Sequence, residues 1–123
     1  METHRTIPTP IENISLDRLG SIIAARVSEM RAGLLQAEES YTVRLIQKGV
    51  DQCAKKVGEE AVEVVLEAVK RDKQKFIEEM AQLFYHQLVL MRMMGVSMAD
   101  IEWQLGLVHS QMSGSDKSDM RGT

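Results

Sequence analysis

Glu59, Glu60 and Glu63 stand in the run Lys56-Val57-Gly58-Glu59-Glu60-Ala61-Val62-Glu63, and Glu79 follows sixteen residues after Glu63. Positions three and four apart share one side of a helix, so the three clustered glutamates can reach a common point. Like charges at these spacings cost a helix a few tenths of a kcal/mol per pair. Solvent, neighbouring lysines or a divalent cation must offset that repulsion. Acidic pairs on helices are commonly plain solvated surface. The sharper reading is a hard oxygen site for magnesium, or for manganese. Gly58 costs a helix interior about 1 kcal/mol against alanine, and its missing side chain leaves room for a ligand or a second helix beside Glu59.

These carboxylates need two helices to bring them together. Val50, Cys53, Ala54, Val57, Ala61, Val64, Val65 and Ala68 predict a helix from about Val50 to Lys70 with that face buried. Phe76, Ile77, Met80, Leu83, Phe84, Leu88 and Met91 predict another from about Lys73 to Met94, capped by Asp72 and stopped by Gly95. If the pair is an antiparallel hairpin turning near residues 71–72, Glu63 lies about eight residues before the turn and Glu79 about seven after it. The two then arrive at the same height.

Three further helices are expected. Ser15 caps the first, whose stripe Leu16, Leu19, Ile23, Val27, Met30 and Leu34 implies about 20 residues. Ser40 caps a short one, Tyr41 to Lys48, ended by Gly49. Ser97 with Asp100 resembles a capping box, and the helix it opens should carry Ile101, Leu105 and Val108 inward. Residues 1–13 read as a flexible arm, 14–112 as one all-α domain and 113–123 as a disordered tail. Short connections make successive helices antiparallel. The expected fold is an all-α antiparallel bundle of about five helices, and its surplus of apolar surface points to completion by a homodimer.

Composition narrows the function. In a chain of 123 residues, 15 basic and 18 acidic side chains give a net charge of −3, which excludes a generic electrostatic nucleic-acid binder. Cys53 is the single cysteine, so neither an intrachain disulfide framework nor a cysteine-based zinc site is available. The opening METHRTIPTPIEN has no apolar run of leader length, and no segment approaches a membrane span. The cytoplasm is the expected compartment.

The ordered set Ser40-Tyr41-Thr42, Lys48-Gly49, Lys56-Val57-Gly58-Glu59-Glu60-Ala61-Val62-Glu63, Glu79 and Tyr85-His86 resembles the phosphoribosyl-ATP pyrophosphatases. These are all-α nucleoside triphosphate pyrophosphatases with an EExxE on one helix and an ExxD on the next. The resemblance spans about residues 40–108. It implies an α-helical dimer that uses magnesium to hydrolyse phosphoribosyl-ATP between its α- and β-phosphates, the second step of histidine biosynthesis. It implies Glu59, Glu60, Glu63 and Glu79 as metal ligands, with Gln82 where the pattern has aspartate, and a carboxylate not fully used by metal, Glu60 or Glu63, as the catalytic group that accepts a proton from the attacking water. An amide oxygen can ligate a metal but brings no charge, so the site is one negative charge short of the pattern, and Glu78 is the nearest carboxylate that could stand in.

Arg44, Lys48 and Lys56 are candidate phosphate contacts. His86 and Tyr41 read as packing or hydrogen-bonding residues, Cys53 as a small buried hydrophobe and Trp103 as a packing residue of the last helix. Two other functions fit the same residues: a house-cleaning pyrophosphatase acting on another nucleoside triphosphate, and a catalytically weak helical dimerisation or regulatory module, which Gln82 motivates.

Overall fold

Helix caps set the boundaries of almost every element. In a computed structural model, which describes residues 12–113, five α-helices follow one another: α1 (Leu16–Arg31), α2 (Tyr41–Lys48), α3 (Val50–Lys70), α4 (Lys73–Met94) and α5 (Met98–Ser113). A 3-10 turn, Ala37–Glu39, precedes α2. No strand occurs among the described residues.

Ser15 Oγ accepts the Arg18 amide at 3.1 Å and starts α1, with Asp17 in its positive first turn and Arg31 in its negative last one. Ser40 Oγ accepts the Val43 amide at 3.3 Å and starts α2. Gly49 alone separates α2 from α3. Its φ of 100° lies in the region that disfavours any side chain, and that conformation lets the chain change direction in one residue. Asp72 accepts the Lys75 amide at 3.1 Å and starts α4, immediately after Arg71 takes a left-handed φ of 63°. Gly95, at φ 72°, closes α4. Ser97 and Asp100 exchange reciprocal bonds of 2.9 and 3.2 Å, the capping box expected for α5.

The α3–α4 hairpin is the most extensive helix pairing. α1 and α2 pack across one end of it, and Ile23, Leu45, Cys53 and Val89 form the buried cluster there. Leu19, Ile46, Tyr85, Leu88 and Met93 pack around that cluster.

Several sequence expectations are corrected. α1 stops at Arg31, because the chain turns at Ala32–Gly33 with the Leu34 amide returning to the Glu29 carbonyl at 2.8 Å, and Leu34 lies outside the bundle. On α3 the face turned to α4 carries Cys53, Glu60 and Glu67, with Val57 and Val64 half-buried between them. Val50, Ala54, Val65 and Ala68, expected inward, are exposed. α3 bears two stripes, and its own chain covers the one that contains carboxylates. On α4, Ile77 and Phe84 are exposed as well. α5 packs against no other helix among the described residues, and of the three residues expected inward Ile101 and Leu105 stay exposed while Val108 is half-buried. Its apolar residues run around the helix rather than along one stripe, and Trp103 is exposed. Ser113, expected in the tail, is the last residue of α5; residues 1–11 of the expected arm and 114–123 of the tail lie outside the described residues. A groove of about 560 Å³ between α1, α4 and α5 is lined by Leu16, Phe84, Met91, Met94 and Ile101.

Candidate active site

The start of α2 is clipped onto the middle of α4, and α3 closes the third side. Tyr41 Oη lies 2.9 Å from His86 Nε2. Thr42 Oγ1 hydrogen-bonds the Tyr85 hydroxyl. The rings of Tyr41 and Tyr85 stack at 6.0 Å, and His86 meets both edge-on. The two short motifs around Tyr41 and Tyr85, 43 and 45 residues apart in hydrogen-bonded pairs, are thus one structural unit.

His86 is 1% exposed and Glu60 8%. His86 Nδ1 lies 2.6 Å from Glu60 Oε1 and 2.9 Å from the Gln82 carbonyl oxygen. Of the two, the approach to the Gln82 carbonyl is the one with hydrogen-bond geometry. The shorter approach to Glu60 lacks it, and Oε1 is fully buried without a hydrogen bond among the described residues. Glu67, two turns further along α3, repeats the theme: it is buried, its Oε1 is unpartnered, and Lys70 Nζ stands 3.7 Å from Oε2. Sequence reasoning did not single out Glu67. Its signal was the three- and four-residue rhythm Cys53, Val57, Glu60, Val64, Glu67, a seam in which two of five members are charged.

The other candidates are placed as follows. Glu59 and Glu63 are exposed on α3, Glu79 is half-buried on α4, and Gln82 is exposed one turn later. Glu78 is exposed and accepts a bond from Gln74 at 3.1 Å. Glu60 therefore turns into the seam while its two neighbours face out. Among the described residues no three His, Cys, Asp or Glu side chains are gathered as a metal cage. The donor chemistry nonetheless fits a hard cation: all the acidic candidates offer carboxylate oxygen, and among the described residues Glu59, Glu63 and Glu79 are in no ion pair. Space beside Gly58 is open, with nothing within 4 Å of where a Cβ would lie. Lys56 is half-buried on α3, one turn before Glu59 and Glu60. Lys48 is exposed in the last turn of α2. Arg44 lies 5.6 Å over the Tyr41 ring and donates to the Ala37 carbonyl at 2.7 Å, which ties it to the α2 end of the site.

Burial raises the Cys53 thiol above its ordinary pKa, and the Glu60 charge adds to the effect; its sulfur donates to the His86 carbonyl at 3.7 Å. Burial likewise raises Tyr85, against the opposing hydrogen bond from Thr42. A raised thiol pKa means the folded state holds that proton more tightly than the unfolded chain. This contribution to stability is complete below the unfolded thiol pKa and is lost as pH rises through the folded one. Cys53 should accordingly react with a thiol reagent at about pH 8 at least 100-fold more slowly in the native protein than in denaturant. Equal rates would show the thiol is not enclosed.

Residues 19–107 match the family described as phosphoribosyl-ATP pyrophosphohydrolase. The chain belongs to this family. It is 45% identical over 84 residues to phosphoribosyl-ATP pyrophosphatase 1 of Bradyrhizobium diazoefficiens, covering 68% of this chain and 78% of that protein. It is 43% identical over 90 residues to the phosphoribosyl-ATP pyrophosphatase of Paracoccus denitrificans, covering 73% of this chain and 78% of that one. The histidine biosynthesis bifunctional protein HisIE of Oceanobacillus iheyensis is 45% identical over 80 residues, 65% of this chain but only 37% of that longer protein. The match takes in α2, α3 and α4 whole, the three helices that build the site. No helix among the described residues is long and apolar enough to cross a membrane.

Proposed function

We propose that this chain hydrolyses phosphoribosyl-ATP to phosphoribosyl-AMP and pyrophosphate in histidine biosynthesis, with magnesium as cofactor. The observation that carries the reading is Glu60, buried against His86 in a hairpin that also bears Glu59, Glu63 and Glu79, within a family of this name. Glu59, Glu63 and Glu79 would hold the metal, with Glu60 and the Gln82 amide as further donors. Bound there, magnesium would supply positive charge to offset that of the phosphate oxygens. A water oxygen bonds to the α-phosphorus, the bond from that phosphorus to the bridging oxygen breaks, and pyrophosphate leaves. Glu60 or Glu63 accepts the water proton. Lys56, Lys48 and Arg44 offset substrate charge along α2 and α3. Pyrophosphate release measured on phosphoribosyl-ATP and on a panel of nucleoside triphosphates, with and without magnesium, tests the reading. Turnover of the panel alone would favour the house-cleaning reaction, and turnover of nothing the regulatory module.

Gln82 bears on metal affinity directly. A carboxylate 4 Å from a unit charge is worth roughly 4 kcal/mol at an effective dielectric of about 20, before desolvation. Gln82 is exposed, so solvent leaves only a fraction of that. Gln82→Asp should lower the magnesium concentration for half-maximal activity by about tenfold, equivalent to 1.4 kcal/mol. An unchanged titration would mean that position 82 does not face the metal. Glu78→Gln should raise the requirement only if Glu78 supplies the missing charge.

A further inference from the structure

The geometry points to Tyr41 and His86 as positioning residues that hold Glu60 in one orientation by fixing the proton of the imidazole on Nδ1. The inference rests on the reaction proposed above only in what the held carboxylate is for.

The tautomer follows from the two neighbours of the ring. The Gln82 carbonyl, 2.9 Å from Nδ1, can only accept, so Nδ1 carries a proton whatever the state of Glu60. In the neutral ring Nε2 then has a lone pair. Tyr41 Oη, 2.9 Å away, is the donor that satisfies it. Tyr41 is 42% exposed while the ring it holds is buried, so the hydroxyl sits at the wet end of a chain that leads inward. The inner end is Glu60 Oε1, 2.6 Å from Nδ1.

Glu60 Oε1 has no hydrogen bond among the described residues; its short polar approach is to His86 Nδ1 at 2.6 Å, whose hydrogen bond goes to the Gln82 carbonyl, so the ring holds the carboxylate by contact and charge. Of the nearby groups, the Cys53 thiol is committed to the His86 carbonyl and Tyr85 to Thr42. With Oε1 held inward, Oε2 is the oxygen left for a ligand. A carboxylate locked this way loses little rotamer freedom when substrate arrives, which is how a supporting shell raises turnover rather than affinity.

Two measurements test this. In the metal-free, substrate-free protein, long-range 15N–1H correlation of the His86 ring should show the Nδ1–H tautomer, and Tyr41→Phe should erode it. A ring protonated on Nε2 in the native chain would overturn the proposal. In steady state with phosphoribosyl-ATP, Tyr41→Phe should lower kcat about tenfold and His86→Leu about 100-fold, both with KM within twofold, the range expected for a lost support of one catalytic group. His86→Asn, whose amide N–H occupies the Nδ1 position, should recover most of the His86→Leu loss. Folded Tyr41→Phe and His86→Asn variants with kcat equal to that of His86→Leu, or all three at native kcat, would overturn it. Tyr41→Phe removes one hydroxyl from a half-exposed side chain and keeps the test open should His86→Leu not fold. If the native chain does not turn over phosphoribosyl-ATP, the proposed reaction falls, and the tautomer measurement still decides this inference.

Discussion

Glu60→Gln and Glu63→Gln should each reduce kcat by about two orders of magnitude or more, the scale of a lost general base or a lost metal ligand. Each change keeps the shape of the side chain and removes its charge. The two should differ in how the loss is distributed. Glu60 is enclosed between α3 and α4 with one oxygen against His86, whereas Glu63 is exposed one turn further on. The residue that takes the water proton should lose kcat at saturating magnesium. The residue that only holds metal should regain part of its activity as magnesium is raised. Glu63→Gln alters an exposed position and should leave the unfolding temperature nearly unchanged. Far-UV circular dichroism controls for folding in both variants. Full activity in both would remove these carboxylates from the reaction, while a loss in only one that persists at saturating magnesium assigns the base.

Where the signals were local, the amino-acid order alone was enough. The bounds of α2, α3 and α4 coincide with those read from Ser40, Gly49, Asp72 and Gly95, because a cap acts on amides two or three residues away. The hairpin followed from the short link at residues 71–72. What periodicity could not decide is which of two apolar stripes on α3 its own chain would cover. Val65 and Ala68 fit a helix face as well as Cys53 and Val57 do, yet the covered face includes Glu60 and Glu67. A buried carboxylate is legible only once its partner is known, and His86 reaches Glu60 through the register of two helices. The pairing of Tyr41 with His86 spans 45 residues and was equally silent, although both motifs stood out as sequence. The three-glutamate cluster was legible as a cluster, but helix geometry alone does not say that one member turns inward while Glu59 and Glu63 turn out.

The uncovered stripe of α3 sets the second large effect. Val62, Val65, Leu66 and Val69 follow the spacing of one helix face and are 56%, 58%, 44% and 68% exposed. Ile77 and Phe84 on α4, and Ile101 and Leu105 on the unpacked α5, enlarge the apolar surface. Soluble proteins seldom leave so continuous a face in water, and a second copy of the same chain offers a matching one. Sedimentation of the native protein at micromolar concentration should therefore give twice the chain mass. Val65→Asp should then yield monomers. In a two-fold interface the substitution occurs twice. Losing two valine burials at about 1.5 kcal/mol each weakens association roughly 100-fold, before the cost of burying two unpaired carboxylates is counted. Because Val65 is largely exposed within its own chain, the variant should keep its helical signal. A monomeric native protein would refute the dimer. A native dimer left intact by Val65→Asp would move the interface off this stripe, to the α5 side of the bundle.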